Sequence, residues 1–294
     1  MTTYASPGIV GSRNISNLYT GGGVSVMQEA SAAELGGILA QTENRLPPGK
    51  VLEVGCGRGI FSTYLASSLS GRTLVFTDTS APMVETCRRN LKGLHYERYQ
   101  HRIFSCLDAT AVTMGERFAL IATSFALHRY GDLKQSISRL IDLLLPGGYL
   151  IASLPGRDSF LEWKQICAFN SLVYTGKELP GLLDLVETGS REDCTFQLQA
   201  VPRTLTFADA GEFFRQLDQS GLETTMPGEV PSGNKRMIIE RWNLLYGKPG
   251  IEVSYQTLSG YFRKLDEGGL AFAVETKVMR KPGKTYVLCD RFAY

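Results

Sequence analysis

Glu53, Gly55, Cys56, Gly57, Arg58 and Gly59 fall together in the run LEVGCGRG, and two further acids follow at Asp78 and Asp108. Closely spaced glycines let a backbone pass near a bound molecule and turn tightly into a helix; a plain tight turn is the simpler alternative. A dinucleotide fingerprint needs glycine where Ile60 stands, and its pyrophosphate would be repelled by Glu53. A ligand carrying an ammonium group is instead attracted there, and S-adenosylmethionine has one. Asp78 lies 19 residues past Gly59, where a carboxylate either accepts the protons of both ribose hydroxyls or caps a helix. Asp108, in SCLDA, is placed to accept from an adenine amino group while the backbone N–H of Ala109 donates to the ring. It suits the start of a loop equally.

These residues need a scaffold that brings the ends of several strands together. VLEVG, TLVFTD, IFSCLD, FALIATS and YLIASLP read as short apolar strands, with helical patterns in FSTYLASSL, APMVETCRRNL (Pro82 just inside its start) and LKQSISRLIDLLL, and a turn at PGG. Strands alternating with helices predict βαβ units with right-handed crossovers, hence an α/β, Rossmann-like, doubly wound and mostly parallel sheet. In such a sheet ligands bind where the strand order reverses, at the carboxyl ends of the strands. A helix over 24–40 precedes this core. After Pro155 the rhythm breaks into an expected inserted helix at DSFLEWKQICAFNSLVY, another at FADAGEFFRQLDQSGL, and a hairpin-like pair of strands in GLAFAVETKVMRKPG. The expected organisation is a single domain over 1–294: N-terminal helices in 1–46, a cofactor-binding core at 51–155, and an acceptor-side insertion with C-terminal strands at 156–294.

With 294 residues, 43% hydrophobic and 20% charged, the chain has material for a full core, which excludes disorder and collagen-like repeats. Its 31 basic against 29 acidic residues argue against a bulk nucleic-acid binder. The N-terminal residues lack the pattern of a secretory leader, and no stretch approaches the ~18 apolar residues of a membrane span. A cytoplasmic protein is expected. The six cysteines are scattered and the histidines are only three, His95, His101 and His128, so neither a disulfide framework nor a metal site is expected.

LEVGCGRG, the acid in FTDTSAPMVE, LDA and LLLPGGYLIAS together resemble, in order and spacing, the successive motifs of class I S-adenosylmethionine-dependent methyltransferases, over residues 51–153. The resemblance implies S-adenosylmethionine as cofactor, with Thr79 and Met83 flanking the adenine and Ser124 to Ala126 under the methionine end; Met83 as a core residue is the alternative. Outside the core, ISNLYTGGGVSVMQEASAAELGGIL, LHRYGDLKQSISRLIDLLLPGGYLIASLPGRDSFLEWKQ and YFRKLDEGGLAFAVETKVMRKPG are similar to the malonyl-acyl-carrier-protein O-methyltransferases of biotin synthesis. That likeness implies an N-terminal lid bearing Tyr19 and Gln28, and a malonyl group on acyl carrier protein as acceptor.

SFALHRYGDL lacks the Asn/Asp-Pro-Pro-aromatic signature of enzymes that methylate exocyclic amines, which disfavours nucleic-acid N-methylation. His128 is either a general base or a loop residue closing over the cofactor. Tyr19 either closes over the donor or packs its helix. A malonyl carboxylate is already an anion and needs no base, so Arg129 and Arg157 are candidates to hold it. Lys235, Arg236, Arg241, Arg263 and Lys264 are candidates to meet an acidic carrier. Two other classes stay open: a small-molecule O- or N-methyltransferase using His128 as base, and a methyltransferase-like protein that binds without turnover.

Overall fold

The computed structural model describes residues 23–92, 101–108, 115–218, 233–246, 249–266, 273–281 and 283–292. Helix α1 (Gly23–Thr42) is followed by β1 (Lys50–Val54), α2 (Ile60–Ser68), β2 (Thr73–Asp78), α3 (Ala81–Leu91), β3 (His101–Cys106), β4 (Phe118–Ser124), α4 (Leu133–Asp142) and β5 (Leu144–Pro155). The apolar run FALIATS is buried along nearly all of β4, as a central parallel strand covered on both faces must be. Asp132 caps α4 by accepting from the Gln135 N–H at 2.9 Å.

The second half of the chain adds α5 (Leu161–Phe169), α6 (Leu182–Gly189), β6 (Cys194–Phe207), α7 (Ala210–Leu217), α8 (Asn234–Tyr246), β7 (Ile251–Lys264), β8 (Ala273–Lys281) and β9 (Lys284–Phe292). One nine-stranded sheet results, in the order β3-β2-β1-β4-β5-β7-β6-β9-β8. Its first five strands are parallel, and from β5 onward every pairing is antiparallel. The order reverses between β1 and β4, so the crevice for a ligand opens above their carboxyl ends.

Apolar side chains pack on both sides of the sheet. Leu35, Leu39, Phe61, Leu65 and Leu74 bury α1 and α2 against one face, and Ile137, Leu140, Leu150, Leu185 and Phe196 bury α4 and α6 against the other. A third cluster, built on Phe160, Trp163, Phe213, Phe214 and Trp242, holds α5, α7 and α8 together and reaches Phe125 at the crevice. Polar pairs anchor α1 as well: Ser31 Oγ donates to Ser153 Oγ at 2.7 Å, and Glu34 pairs with Arg203 and accepts from Ser259 Oγ at 3.1 Å.

Four expectations about elements need correction. The inserted helix over 158–174 stops at Phe169, because Asn170 turns its amide back onto the Ile166 carbonyl and Ser171 takes a left-handed backbone. The turn at PGG is a bulge inside β5, where pairing jumps from Phe118↔Leu144 to Leu120↔Tyr149. Among its described residues the segment 269–283 supplies one strand, β8; its hairpin partner β9 follows Gly283. The helix expected over 207–222 starts only at Ala210 as α7, since Phe207 ends β6 and Asp209 caps the helix by accepting from Glu212 N–H at 2.7 Å; residues 219–222 lie outside the described residues.

Candidate active site

Above the carboxyl ends of β1, β2 and β4 lies a cavity of about 720 Å³, a size ordinary for cofactors. Its floor is the turn after β1. Gly55 and Cys56 both donate their N–H groups to the Thr77 carbonyl at 2.8 Å, and Thr77 Oγ1 donates to the Glu53 carbonyl at 2.8 Å. The turns after β1 and β4 touch: a Cβ on Gly55 would lie 2.3 Å from that of Ala126, and its φ is +75°. Gly57, at φ +51°, has open space above it, so a ligand can approach the backbone there.

Asp78 ties two turns to each other. One carboxylate oxygen accepts from the Gly57 N–H and the other from the Ser80 N–H, both at 2.9 Å. The cap-like role and a ligand role are therefore compatible, since each oxygen keeps a second lone pair. Glu53 is 1% exposed, yet it lines the cavity. Burial pushes its pKa up from 4.5 to about 8; the Ser62 hydroxyl, donating at 2.5 Å, opposes this, and the neighbouring Asp78 charge adds to it. Cys56 is held against Cys87, and that hydrogen bond and then burial raise its pKa, so it stays a thiol.

Gln28, Glu53, Gly55, Cys56, Gly57, Asp78, Thr79, Met83, Ser124 and Arg129 all line this cavity. Met83 is 39% exposed, which removes the core alternative for it. Gly59 stands just behind, at the N-cap of α2 with φ +90°. Asp108 is exposed past the end of β3 and is not on the lining. Tyr19 and Ala109 lie outside the described residues.

His128 is not on the lining either. Phe125 leaves β4 with φ +56°, donating its N–H to the Ser153 carbonyl, and starts a short 3-10 turn over Leu127–Arg129. The turn drives His128 inward, 4% exposed and edge-on to Phe125 at 5.1 Å, while Arg129 faces the cavity. A base for a bound acceptor must reach that acceptor, and this packing withholds the imidazole. Sequence reading missed Phe125's strained backbone and Gln216, which α7 contributes to the lining. Alternation of buried and exposed residues in β6 was the available signal that the chain returns to the sheet before α7.

Arg157 is tied to Asp184 at 2.8 Å. Arg263 and Lys264 end β7 beside Asp266 and the Asp142 carbonyl, and Arg263 pairs with Tyr149 at the start of the parallel run of β5. They stand at the end of the sheet opposite the cavity, because β7 is antiparallel to β5, and so are poor candidates to meet a carrier there.

A parallel sheet of order 3-2-1-4-5 with an antiparallel continuation, and a glycine turn flanked by two acids at its switch point, define a class I methyltransferase fold. Residues 52–150 match the family described as a methyltransferase domain. The chain is an S-adenosylmethionine-dependent methyltransferase. It is 28% identical over 224 residues to a malonyl-[acyl-carrier protein] O-methyltransferase of Magnetococcus marinus, covering 73% of this chain and 78% of that protein. A protein of the same name from Chlorobium luteolum is 24% identical over 84% of this chain and 92% of its own length. The crystal structure of YcgJ from Bacillus subtilis shares the fold, with TM-score 0.57 and 13% identity over 80% of this chain and 99% of its own.

The raised pKa of Glu53 has a thermodynamic signature. An acid whose folded-state pKa lies above its unfolded value keeps its proton longer in the folded chain, so stability falls as pH rises from 4.5 to about 8 and the loss is complete above that. Urea denaturation at about pH 5 and about pH 9 should therefore show a steeper decline for the wild type than for Glu53→Gln. Equal slopes in the two proteins would mean that Glu53 is charged throughout.

Proposed function

We propose that the chain transfers a methyl group from S-adenosylmethionine to the free carboxyl of a malonyl group carried on acyl carrier protein. The observation that carries this reading is the extent of the two matches to malonyl-[acyl-carrier protein] O-methyltransferases. They run over 73% and 84% of this chain, far beyond the methyltransferase domain at 52–150 and into the acceptor-side elements.

S-adenosylmethionine, when bound, supplies an electrophilic methyl group on a sulfonium. The chain's own residues would hold it as follows. Glu53 ionises against the ammonium, Asp78 accepts the ribose hydroxyls, Thr79 and Met83 flank the adenine, and the backbone of Ser124 to Ala126 supports the methionine end. Gln28 and, from the lid, Tyr19 cover the donor. Asp108 and Ala109 complete the adenine pocket in this reading if Asp108 turns inward from its exposed position. The acceptor's carboxylate is ionised at neutral pH, so the protein has only to orient it in line and keep water out. The withdrawn position of His128 agrees with that, and disfavours a phenol or amine acceptor deprotonated by His128.

An acidic carrier would approach near α8, which packs against α5 and α7 at the cavity end and bears Lys235, Arg236 and Arg241. Lys235 is paired with Asp218 and Arg236 with Glu240, so these charges act as rim contacts on the encounter rate.

Asp78→Ala should weaken S-adenosylmethionine binding by about 1.5 to 3 kcal/mol, the scale for hydrogen bonds to a charged group, as read by calorimetry. Unchanged binding would reduce Asp78 to a structural tie between the two turns. Incubation with labelled donor and malonyl carrier protein should add one methyl group to the malonyl arm, seen by mass spectrometry. Label in a panel of phenols and amines, with none in malonyl carrier protein or malonyl-CoA, would reject this acceptor.

A further inference from the structure

Ser62 of α2 is a hydroxyl shut off from solvent, and the side chains on either side of it, Glu53 of β1 and Cys87 of α3, are as deeply buried. Its Oγ donates to Glu53 Oε2 at 2.5 Å and accepts from Cys87 Sγ at 3.3 Å. A serine hydroxyl carries one proton, so with the thiol on its accepting side that proton is directed at Glu53. Its helix neighbours behave differently. Thr63 and Ser67 return their hydroxyl protons to carbonyls of α2 itself, those of Ile60 and Tyr64, at 2.8 and 3.0 Å. Ser62 instead reaches out of its helix to a carboxyl that lines the donor cavity. Gly59 leaves room for this chain of contacts, since a Cβ there would crowd Cys87 Sγ at 3.2 Å. Burial and the charge of Asp78, from β2, oppose ionisation of Glu53, and the Ser62 hydrogen bond favours it. Cys56, from the turn after β1, is held as a thiol against Cys87. Among the described residues, Arg58 and Arg129 are the cations of the cavity lining.

We infer that Ser62, oriented by Cys87, is a positioning residue that holds the Glu53 carboxyl in place and steadies its charged form when the donor's ammonium group arrives. The inference rests on the proposed pairing of Glu53 with that ammonium and names the side chain that supports it. Without the hydroxyl, Glu53 would give up its proton only at higher pH. Donor binding would then carry an added cost below that pH and none above it. A residue that merely fills space in α2 would change binding by the same factor at every pH.

The test is calorimetric binding of S-adenosylhomocysteine, which carries the same ammonium group, to the full chain and its variants. The ligand's own amino group titrates alike for every protein and cancels from the ratio of affinities. Ser62→Ala should weaken binding about tenfold at about pH 7, the lower end for a hydrogen bond to a charged group, and by less than about twofold at about pH 9.5. Ser62→Thr, which keeps the hydroxyl, should restore the wild-type pH profile. In a Glu53→Gln background, Ser62→Ala should cost less than about twofold at either pH, because the two side chains act as one unit. Alanine is well tolerated inside a helix, and thermal melts should show each variant folded. An equal loss at both pH values, or the same loss with and without Glu53, overturns the inference. If Glu53→Gln binds weakly while Ser62→Ala binds like wild type, the role of Ser62 fails and the reading of Glu53 stands. If Glu53→Gln itself binds like wild type at both pH values, the reading of Glu53 fails and the role of Ser62 fails with it.

Discussion

The carboxyl group of Glu53 is removed from water at the end of β1, and the rest of the site is arranged around that fact. An isolated buried carboxylate is costly, so the group keeps its proton to about pH 8. A cationic ligand reverses the balance by supplying the missing partner. In the proposed reading, binding of the donor at neutral pH is therefore linked to the loss of this proton. Asp78, whose two oxygens are fixed by the N–H groups of Gly57 and Ser80 at 2.9 Å, keeps the glycine turn under that ligand.

Such a site demands a rigid frame, and the sheet supplies it. Gly55 and Ala126 approach so closely that no side chain fits between the two switch-point turns, and Phe125, just before Ala126, takes a left-handed backbone. The antiparallel half of the sheet serves a second need. It carries Ser259 and Arg203, which together with Ser153 of β5 anchor α1, and α1 in turn presents Gln28 to the cavity. The same half returns the chain to α7, which presents Gln216. Donor and acceptor sides are therefore positioned by one continuous hydrogen-bonded structure.

The cofactor half was legible because its signals are local. TLVFTD, APMVETCRRNL and FALIATS match β2, α3 and β4 to the residue, since each is bounded by a turn residue, a proline or a change of period. Glu53, Asp78 and the glycines could be placed for the same reason, as the spacing from strand end to helix start is fixed by the βα turn. The acceptor half was not legible. β6 and β7 are fourteen residues each and pair over long sequence separations, from Phe207↔Ile251 to Cys194↔Lys264, and Pro202 and Gly260 interrupt their patterns. His128 and Arg129 are adjacent in sequence, and it is the 3-10 turn after Phe125 that sets His128 inward and Arg129 on the cavity.

The central claim, that Glu53 is protonated until a cationic donor arrives, is tested most directly by counting protons. Calorimetric titration with S-adenosylmethionine at about pH 7, in buffers of different ionisation enthalpy, gives the number released on binding. Wild type should release close to one proton more than Glu53→Gln, and the difference should vanish above about pH 9. Identical proton counts for the two proteins at neutral pH would contradict the account.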